Sequence, residues 1–542
     1  MTAWPQPDER TLGGAPHPPW PARDADHLLV TGAQMAALEN QLFASGLPVE
    51  ALMEKAALAV SRRLLEGSPA KPDLLGAARV VVLVGPGHNG GDGLVVAREL
   101  HLAGVPVRLW CPFERRKPLT EHHWNHALWL GIPLQEHPPD PRDPDLWIDA
   151  LFGNGQSQAP GEAIETLLAA RDEAMAGPLL AIDGPTGLCF DTGRVLGRQA
   201  ARADLTLCIG LWKQGLVQDA ALRWVGRLER VDLGFPRTLL EQLPLEQPLG
   251  LGGPDGGRQD ASAAPRARID PAAGKYERGR LLVIAGSDTY RGAAHLALSG
   301  ATSSGVGSLR AIVPPSVADH LWMVMPHVVL EQRPLAEGGL ERLDAVLVGP
   351  GLGPLSMIDG ESAPREPWWD SLQMFPGLLV VDADGLNRIH PAWLRGREGP
   401  TWITPHGREF QRLWPELATV PYLEAAARAA ADSGATVLLK GARSVVVSAD
   451  GRRWQLLESC GNAARAGLGD VLAGYAAGLG AKLASSGNKP DSSALALAAL
   501  DHALAGCRAC RHLGPGGATA AGVANQLAKH YGLHFYGQNL AK

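Results

Sequence analysis

The chain has 542 residues, of which 45% are hydrophobic and 20% are charged, and its formal net charge is −6. One hydrophobic core rarely grows beyond about 250–300 residues, so this length predicts two domains. The composition excludes a wholly disordered chain. The small negative charge, together with the lack of a basic stripe in the sequence, excludes a dedicated nucleic-acid-binding protein.

The N-terminal segment and the cysteine count indicate a compartment. Residues 1–27 are proline-rich and polar and lack the apolar segment of a signal peptide, so we expect an N-terminal tail there. Six cysteines are too few for a disulfide framework in a chain of this length, which favours a reducing environment. The sequence contains no run of about 18 apolar residues, so no membrane partner is expected. We therefore predict a cytoplasmic protein, and we expect a homo-oligomer.

The predicted elements indicate the α/β class. Residues 241–268 are rich in Gly, Pro and Ala without periodicity, which predicts a linker between domains 28–240 and 269–537. In both domains, apolar runs alternate with helical segments, as in parallel sheets covered by helices on both faces. The predicted strands are 80–84, 105–109, 146–148, 179–182 and 205–209, then 281–285, 345–348, 378–381, 402–404, 437–439 and 444–447.

A glycine-rich turn follows the first predicted strand. Residues 85–93 read GPGHNGGDG and precede a helix predicted over 94–103. Glycines let backbone N–H groups at a helix N-terminus approach a phosphate. We favour that interpretation over a tight turn without a ligand, because Asn89 and Asp92 add polar groups that a turn does not need. The segment is neither the GxGxxG dinucleotide fingerprint nor a Walker motif.

Two further predicted strands end in acidic residues. Asp149 and Asp183 each follow an apolar run, and Thr186 lies three residues beyond the second acid. Together with Asn89 they offer only hard oxygen ligands, which suit an alkali or alkaline-earth cation rather than zinc. Taken singly, each acid is also explained as a helix cap. Because the strand ends converge in a parallel sheet, we favour a cation site.

These segments, with DALFGNG at 149–155, DGPTG at 183–187 and LCIGLWKQGL at 207–216, resemble the YjeF N-terminal domain of the NAD(P)H-hydrate epimerase family. The resemblance implies a Rossmann-like α/β/α sandwich that interconverts the R and S forms of NAD(P)H hydrate. It implies that Asp183 is catalytic and stabilises a cationic intermediate. It further implies that potassium binds Asn89, Asp149 and Thr186. The implied substrate contacts are His88, Asn89, Gly90, Gly91, Asp92, Gly153, Asn154, Gly155, Gln156, Ser157, Gln158, Ala159 and Asp183.

Several positions depart from the family pattern. His88 replaces an Asn, which leaves the substrate contact at that position open. Gly184 and Thr186 stand where Ile and Ser are usual, and Thr186 retains the hydroxyl that a cation site needs. Asn154 replaces a Thr. Lys213, within the LCIGLWKQGL segment, is either a partner of Asp183 or a surface lysine, and the sequence does not choose between the two.

The strongest local pattern of the second domain is AGLGD at 466–470, opening a predicted helix. Free N–H groups at such a helix start form an anion hole large enough for a phosphate. Asp470 lies at its rim and can take a proton from an attacking hydroxyl. A helix-capping aspartate is the alternative. We favour the catalytic interpretation because neighbouring segments carry matching patterns.

Those segments are residues 275–297, 348–353, 380–387, 403–413 and 438–447. They resemble the YjeF C-terminal domain, an ADP- or ATP-dependent NAD(P)H-hydrate dehydratase with a ribokinase-like fold. The resemblance implies dehydration of the S epimer, with ADP converted to AMP and phosphate and Mg²⁺ on the nucleotide. The implied hydrate contacts are Ala293, Gly353, His406 and catalytic Asp470. The implied nucleotide contacts are Lys440, Gly441, Ala442, Arg443, Ser444 and Gly469.

Four points remain open. TPHGRE at 404–409 and Leu468 depart from the family pattern without removing a charged catalytic atom. Asp382 and Glu409 are candidate acids near Mg²⁺. Cys507 and Cys510 form a CxxC, but we favour helix packing over metal or redox chemistry because a second ligand pair is missing. A ribokinase-type small-molecule kinase fused to a non-catalytic binding domain is the competing function.

Overall fold

The computed structural model describes residues 20–66, 79–175, 177–252, 260, 264, 272–331, 339–353, 357–358, 361–362, 368–487 and 489–536. The N-terminal tail to residue 19 and most of the second half of the predicted linker lie outside these residues. The described chain builds two α/β halves, each around a largely parallel sheet. The predicted fold class is confirmed.

Among its described residues, the first half contains nine strands and seven α-helices. The strands are β1 (Leu29–Val30), β2 (Val80–Val84), β3 (Val107–Trp110), β4 (Leu146–Ala150), β5 (Leu179–Ile182), β6 (Leu205–Ile209), β7 (Trp212–Lys213), β8 (Arg227–Val231) and β9 (Leu249–Leu251). The helices are α1 (Gly32–Ala44), α2 (Val49–Leu65), α3 (His88–Leu102), α4 (Pro118–Trp129), α5 (Glu162–Ala174), α6 (Leu222–Val225) and α7 (Arg237–Leu240).

The second half continues the numbering. Its strands are β10 (Arg280–Ile284), β11 (Ser308–Ile312), β12 (Val329–Leu330), β13 (Ala345–Val348), β14 (Met357–Ile358), β15 (Glu361–Ser362), β16 (Leu378–Val381), β17 (Thr401–Ile403), β18 (Thr436–Leu439), β19 (Val445–Val447) and β20 (Arg453–Leu456). Its helices are α8 (Arg291–Ser303), α9 (Pro315–Val324), α10 (Trp368–Met374), α11 (Pro391–Arg395), α12 (Gly407–Leu413), α13 (Tyr422–Ser433), α14 (Leu468–Ser485), α15 (Ser492–Gly517) and α16 (Ala520–Tyr536).

The first sheet has six parallel strands in the order β3-β2-β4-β5-β6-β8. Every residue of β2 is buried, because its VVVLV run packs against apolar side chains on both sheet faces. Helix α3 begins at His88, inside the glycine-rich turn, and not at residue 94 as the sequence predicted. The turn is therefore itself the first helical turn, so its free N–H groups lie at the end of β2.

The second sheet has ten strands in the order β12-β11-β10-β13-β16-β17-β18-β19-β20-β9. Its central strands are parallel, as predicted, but β19 runs antiparallel to both β18 and β20. Helices α8 and α14 pack on the face formed by one apolar cluster, and α12 and α13 contribute to the cluster on the other. The strand ends from β10 to β18 therefore meet along one edge of the sheet.

The segment predicted as a linker contributes a strand. Leu249–Leu251 (β9) pairs in parallel with β20 at the edge of the second sheet. Leu28 of the first half bridges to Leu249. Leu457 packs among buried side chains of the first half that include Leu29 and Trp212. The two halves are thus joined by apolar packing as well as by the chain. The predicted domain boundaries stay predictions.

Among the described residues, none of the helices combines the length and the apolar character that crossing a membrane requires.

Candidate active sites

The first site is a buried ion pair at the carboxyl end of β5. Asp183 follows β5 with a φ of 66° and is 7% exposed. The ammonium group of Lys213, itself 1% exposed, donates a hydrogen bond of 2.5 Å to Asp183 Oδ1. It also donates to the Ile209 carbonyl. The structure therefore excludes the surface alternative for Lys213 and makes it the partner of Asp183.

Backbone amides complete the environment of the Asp183 carboxylate. Asn154 N donates to Oδ2 at 2.8 Å, and Ile209 N donates to Oδ1 at 3.3 Å. The left-handed conformation of Asp183 is rare for a residue with a side chain, and here it aims the carboxylate at Lys213 and the 153–159 loop. An oriented, hydrogen-bonded carboxylate of this kind can stabilise a developing cation.

Two more acids lie near this ion pair. Burial, reinforced by the Asp183 and Glu39 charges, raises the pKa of Asp92 well above its ordinary value. Burial also raises the pKa of Glu39, and the Lys213 charge opposes this rise. Burial by itself lowers the pKa of Lys213, but the Asp183 carboxylate outweighs it and holds the ammonium charged. The site therefore combines two acids of raised pKa with one retained positive charge.

Gly184 follows Asp183 and explains one departure from the family pattern. A Cβ atom at Gly184 would lie 2.2 Å from Phe190 Cζ, a distance that real Cβ contacts do not reach. The ring of Phe190 thus occupies the space that a larger side chain at position 184 would need. Phe190 belongs to an apolar cluster of buried residues, so the absence of a side chain at Gly184 lets the Phe190 ring pack there.

The predicted cation ligands lie together at the ends of β4 and β5. Thr186 Oγ1 donates to Asp149 Oδ1 at 2.7 Å, and Thr186 N donates to Asp149 Oδ2 at 2.8 Å. Burial raises the pKa of Asp149 to about 6, opposed only by hydrogen bonds from Thr186 and Leu151 and by no nearby positive charge. Asn89 is buried and its Nδ2 atom has no hydrogen-bond partner within the described structure.

The 153–159 loop lies beside these groups. A Cβ at Gly153 would lie 3.0 Å from Asp183 Oδ2 and 3.1 Å from Asn89 Oδ1, so this glycine keeps the acid and the amide close. The remaining loop residues divide in two. Asn154 and Gln156 bind the protein itself, through the Gly32 carbonyl and the Pro185 carbonyl respectively. Exposed and open to a ligand are Gly155, Ser157, Gln158 and Ala159.

The helix start of α3 faces the same region. His88 is exposed, whereas Asn89, Gly90 and Gly91 are buried. A Cβ at Gly90 would lie 2.0 Å from the Gly85 carbonyl oxygen, so this glycine is required by the close approach of helix and strand, whether or not a ligand binds. The glycine-rich turn therefore combines packing with a free helix N-terminus.

The second site lies at the start of α14. Gly467 caps this helix with a φ of 87°, and Asp470 is in the first turn, as the sequence predicted. Burial, with the Asp382 charge next in importance, raises the pKa of Asp470 to about 7, and the Lys440 charge opposes the rise. A carboxylate with that pKa is a competent general base near neutral pH. The capping alternative fails, because the N-cap position belongs to Gly467.

Lys440 and Asp382 form an ion pair in this site. Lys440 Nζ donates to Asp382 Oδ1 at 2.7 Å, and Thr404 Oγ1 donates to the same oxygen at 2.8 Å. Burial lowers the pKa of Lys440, but Asp382, Glu409 and Asp470 together raise it above its ordinary value. A Cβ at Gly469 would lie 3.2 Å from Lys440 Nζ, so the helix start and the lysine are adjacent.

The predicted hydrate contacts lie at neighbouring strand ends. His406 bridges to Lys440 and caps α12 through Nδ1, while Glu409 Oε2 accepts from His406 N at 2.8 Å. Gly353 N donates to Asp384 Oδ2 at 2.9 Å. Ala293, on α8, packs against the glycine loop after β13. A Cβ atom placed on Gly351 would lie 2.5 Å from the Cβ of Ala293. These residues share one edge of the sheet.

A cavity of about 380 Å³ opens at the start of α14, lined by Leu468 and Gly469. Five of the six predicted nucleotide contacts line it: Lys440, Gly441, Ala442, Ser444 and Gly469. Arg443 does not, since its guanidinium turns away and donates to the Leu216 carbonyl of the first half at 3.3 Å. Further lining residues include Glu458, Cys460 and His502, which the sequence did not single out.

Two family models match the chain. Residues 49–215 match the YjeF-related protein N-terminus, and residues 281–528 match NAD(P)H-hydrate dehydratase. The chain is 43% identical over 88% of its length to the bifunctional NAD(P)H-hydrate repair enzyme Nnr of Gloeobacter violaceus, covering 92% of that protein. This chain belongs to the bifunctional NAD(P)H-hydrate repair enzyme family.

Further comparisons concern other members and solved structures. The Nnr protein of Synechocystis sp. is 40% identical over 83% of this repair enzyme and 85% of its own length. The ADP/ATP-dependent NAD(P)H-hydrate dehydratase from Bacillus subtilis, co-crystallised with ATP and Mg²⁺, is 26% identical. It covers 51% of this chain and 96% of its own, with a TM-score of 0.43.

Sequence reasoning missed several residues that the repair enzyme places at its sites. Glu39 lies on α1, within a segment that belongs to the family resemblance, but nothing in that segment singled out this residue. Asp384 is two residues beyond Asp382 in a segment already singled out, so its spacing was an available signal. His502 lies on α15 and lines the cavity at the start of α14, and burial lowers its pKa to about 4.

The cysteine pair of the repair enzyme lies on α15, as the helix interpretation predicted. The thiol of Cys460 is within hydrogen-bonding reach of both Cys507 and Cys510. Burial raises the pKa of Cys507 to about 12, which disfavours its reactive thiolate. Among the described residues, no cluster of three or more His, Cys, Asp or Glu side chains is arranged to hold a metal ion.

Proposed function

We propose that the chain repairs hydrated NADH and NADPH at two sites, epimerising the hydrate at Asp183 and dehydrating its S form at Asp470 with ADP as co-substrate. The observation that carries this proposal is the pair of buried acid–lysine centres. Asp183 with Lys213 and Asp382 with Lys440 lie beyond the strand ends of separate sheets, where α/β proteins bind ligands. Each centre opens beside a helix N-terminus suited to a phosphate.

Epimerisation inverts C6 of the hydrate, a hemiaminal carbon. The hydroxyl leaves and returns through an iminium-like cation, or the ring opens and closes. The Asp183 carboxylate stabilises the positive charge, and Lys213 holds that carboxylate in place. Asp92, whose pKa burial raises well above its ordinary value, is the candidate acid that gives a proton to the departing hydroxyl.

A potassium ion fits the first site by the chemistry of the donors. Asn89, Asp149 and Thr186 would hold it. Asp149 is fully buried and has no positive neighbour in the described part of the chain, so a monovalent cation would supply a counter-charge. When bound, the ion supplies positive charge for the phosphates of the nucleotide substrate. One carboxylate with two neutral oxygens suits a large monovalent ion better than Mg²⁺.

Dehydration needs a better leaving group than hydroxide at C6. Asp470 takes the proton of the C6 hydroxyl as that oxygen attacks the terminal phosphoryl group of the nucleotide. The free amides at the start of α14 face the transferred phosphoryl. The ring nitrogen then expels phosphate, a proton leaves C5, and the C5–C6 double bond is restored.

The acids near the nucleotide already have partners. Asp382 accepts from Lys440 and Thr404, and Glu409 accepts from the His406 amide. Mg²⁺ neutralises phosphate charge when bound, and it would therefore be held mainly by the phosphates. Of the two Asp382 carboxylate oxygens, Oδ2 would be the one to contact the ion, since Oδ1 accepts both hydrogen bonds. ADP in preference to ATP, a cytoplasmic location and a homo-oligomeric state stay predictions.

The proposal is tested by incubating mixed-epimer hydrate with ADP and following the return of NADH absorbance. Asp470→Asn should abolish dehydration of the S form and leave epimerisation intact. Asp183→Asn should leave S-form repair unchanged and stop the R form being consumed beyond its spontaneous rate. A persistent phosphorylated product without NADH would instead support the small-molecule kinase alternative and reject the dehydratase.

A further inference from the structure

The first half of the chain reaches into the nucleotide loop of the second. Asp219 begins a short 3-10 helix, Asp219–Ala221. Its Oδ2 accepts a hydrogen bond from Ala442 N at 2.8 Å, and its Oδ1 accepts one from Arg443 N at 2.6 Å. One carboxylate thus binds two successive amides of the loop that lines the cavity. Charge-assisted bonds of this type are stronger than neutral ones.

Gly441 shows how closely Asp219 approaches the loop. A Cβ at Gly441 would lie 2.3 Å from Asp219 Oδ2, so no larger residue fits while the carboxylate is there. Gly441 and Ala442 both line the nucleotide cavity. The wall of that cavity is therefore supported from behind by a residue of the other half.

Arg443 strengthens the same junction. It is 9% exposed, and its guanidinium donates to the Leu216 carbonyl. Leu216 lies in the 3-10 helix Gln214–Val217, which starts immediately after Lys213. The nucleotide loop is thus attached to the chain segment that carries the lysine of the first site.

We infer that Asp219 is a positioning residue for the dehydratase, which sets the conformation of the nucleotide loop from the epimerase half. This inference rests on the proposed function of the cavity. Since the Ala442 and Arg443 amides are bound to Asp219, they are not available to a phosphate. The loop therefore meets the nucleotide through its cavity face, and the shape of that face depends on the carboxylate behind it.

The test measures ADP affinity in the full-length chain. Asp219→Ala should raise both the KM for ADP in dehydration of the S form and the equilibrium Kd for ADP about tenfold, as the loss of two amide bonds to a charged acceptor predicts. The kcat and the epimerase rate should stay within about twofold, since neither set of reacting groups changes. Asp219→Asn, which retains one acceptor oxygen, should have a smaller effect.

The matched control is Arg194→Ala. Arg194 donates to the Thr419 carbonyl at 2.7 Å, another bond between the halves, but one that involves no residue of the 440–444 loop. Arg194→Ala should leave ADP affinity unchanged. Equal losses of affinity in both variants would show that Asp219 only joins the halves, and unchanged affinity in Asp219→Ala would overturn the inference directly.

A double substitution separates positioning from general destabilisation. Gly441→Ala should weaken ADP binding strongly when Asp219 is present and much less in the Asp219→Ala background, because the collision then disappears. Additive effects would contradict the inference. If the wild type binds ADP without restoring NADH, the dehydratase assignment fails, while the binding comparison still decides the role of Asp219.

Discussion

The dehydration rate should rise with pH through a midpoint near 7. Burial and the neighbouring Asp382 charge raise the pKa of Asp470 to about 7, and only the ionised carboxylate can accept the C6 hydroxyl proton. A group with this pKa is about 10% ionised at pH 6 and about 90% ionised at pH 8, so the chemical step should accelerate about tenfold between them.

Asp382→Asn perturbs this midpoint in a defined direction. The change removes a negative charge that raises the pKa of Asp470, and it releases Lys440, whose charge lowers that pKa. Both effects favour the ionised base. A shift of about one unit to lower pH would reduce the rate ratio between pH 8 and pH 6 to about twofold.

The assay is single-turnover dehydration of the purified S form at saturating ADP, so that product release does not hide the chemical step. The control is the epimerase rate of the same variant, which involves neither residue. A wild-type rate that does not change from pH 6 to pH 8 would show that Asp470 is not the base. A midpoint that moves to higher pH in Asp382→Asn would refute the electrostatic reasoning.

Three further predictions concern the first half. Thr186→Val removes the hydroxyl bound to Asp149, so the potassium concentration for half-maximal epimerisation should rise about tenfold at constant ionic strength, with Thr186→Ser near wild type; a rate flat in KCl would contradict the cation site. Lys213→Met should lower epimerisation at least about 100-fold and leave S-form dehydration unchanged; equal losses in both assays would indicate misfolding instead. Gly184→Ile should destabilise the fold by about 1–3 kcal/mol in urea unfolding, because its Cβ would meet Phe190. Adding Phe190→Ala should recover part of that loss.

Local sequence patterns predicted eleven of the described strands and marked the candidate residues that follow them, but they did not mark β8, β11 or β20. The run at 80–84 is buried on both faces and forms β2 with the predicted bounds. Acids placed directly after such runs, as Asp149 and Asp183 are, must lie at the carboxyl edge of a parallel sheet. The same patterns could not show strand direction, because an apolar run that is buried on both faces has the same sequence pattern whether its strand is parallel or antiparallel to its neighbours. The antiparallel β19 was therefore not foreseen.

What the sequence determined by itself is the α/β class, the position of Asp183 directly after a strand and the position of Asp470 in the first turn of a helix, because each follows from residues adjacent in the chain. Only the tertiary structure decided which residues meet. Lys213 contacts Asp183 because the chain crosses from β5 to β6 and returns through β7, and Asp219 contacts Ala442 across more than 200 residues. Periodicity reports that a side chain is buried, but the partner that it meets depends on how the elements pack, and packing is set by the whole chain at once.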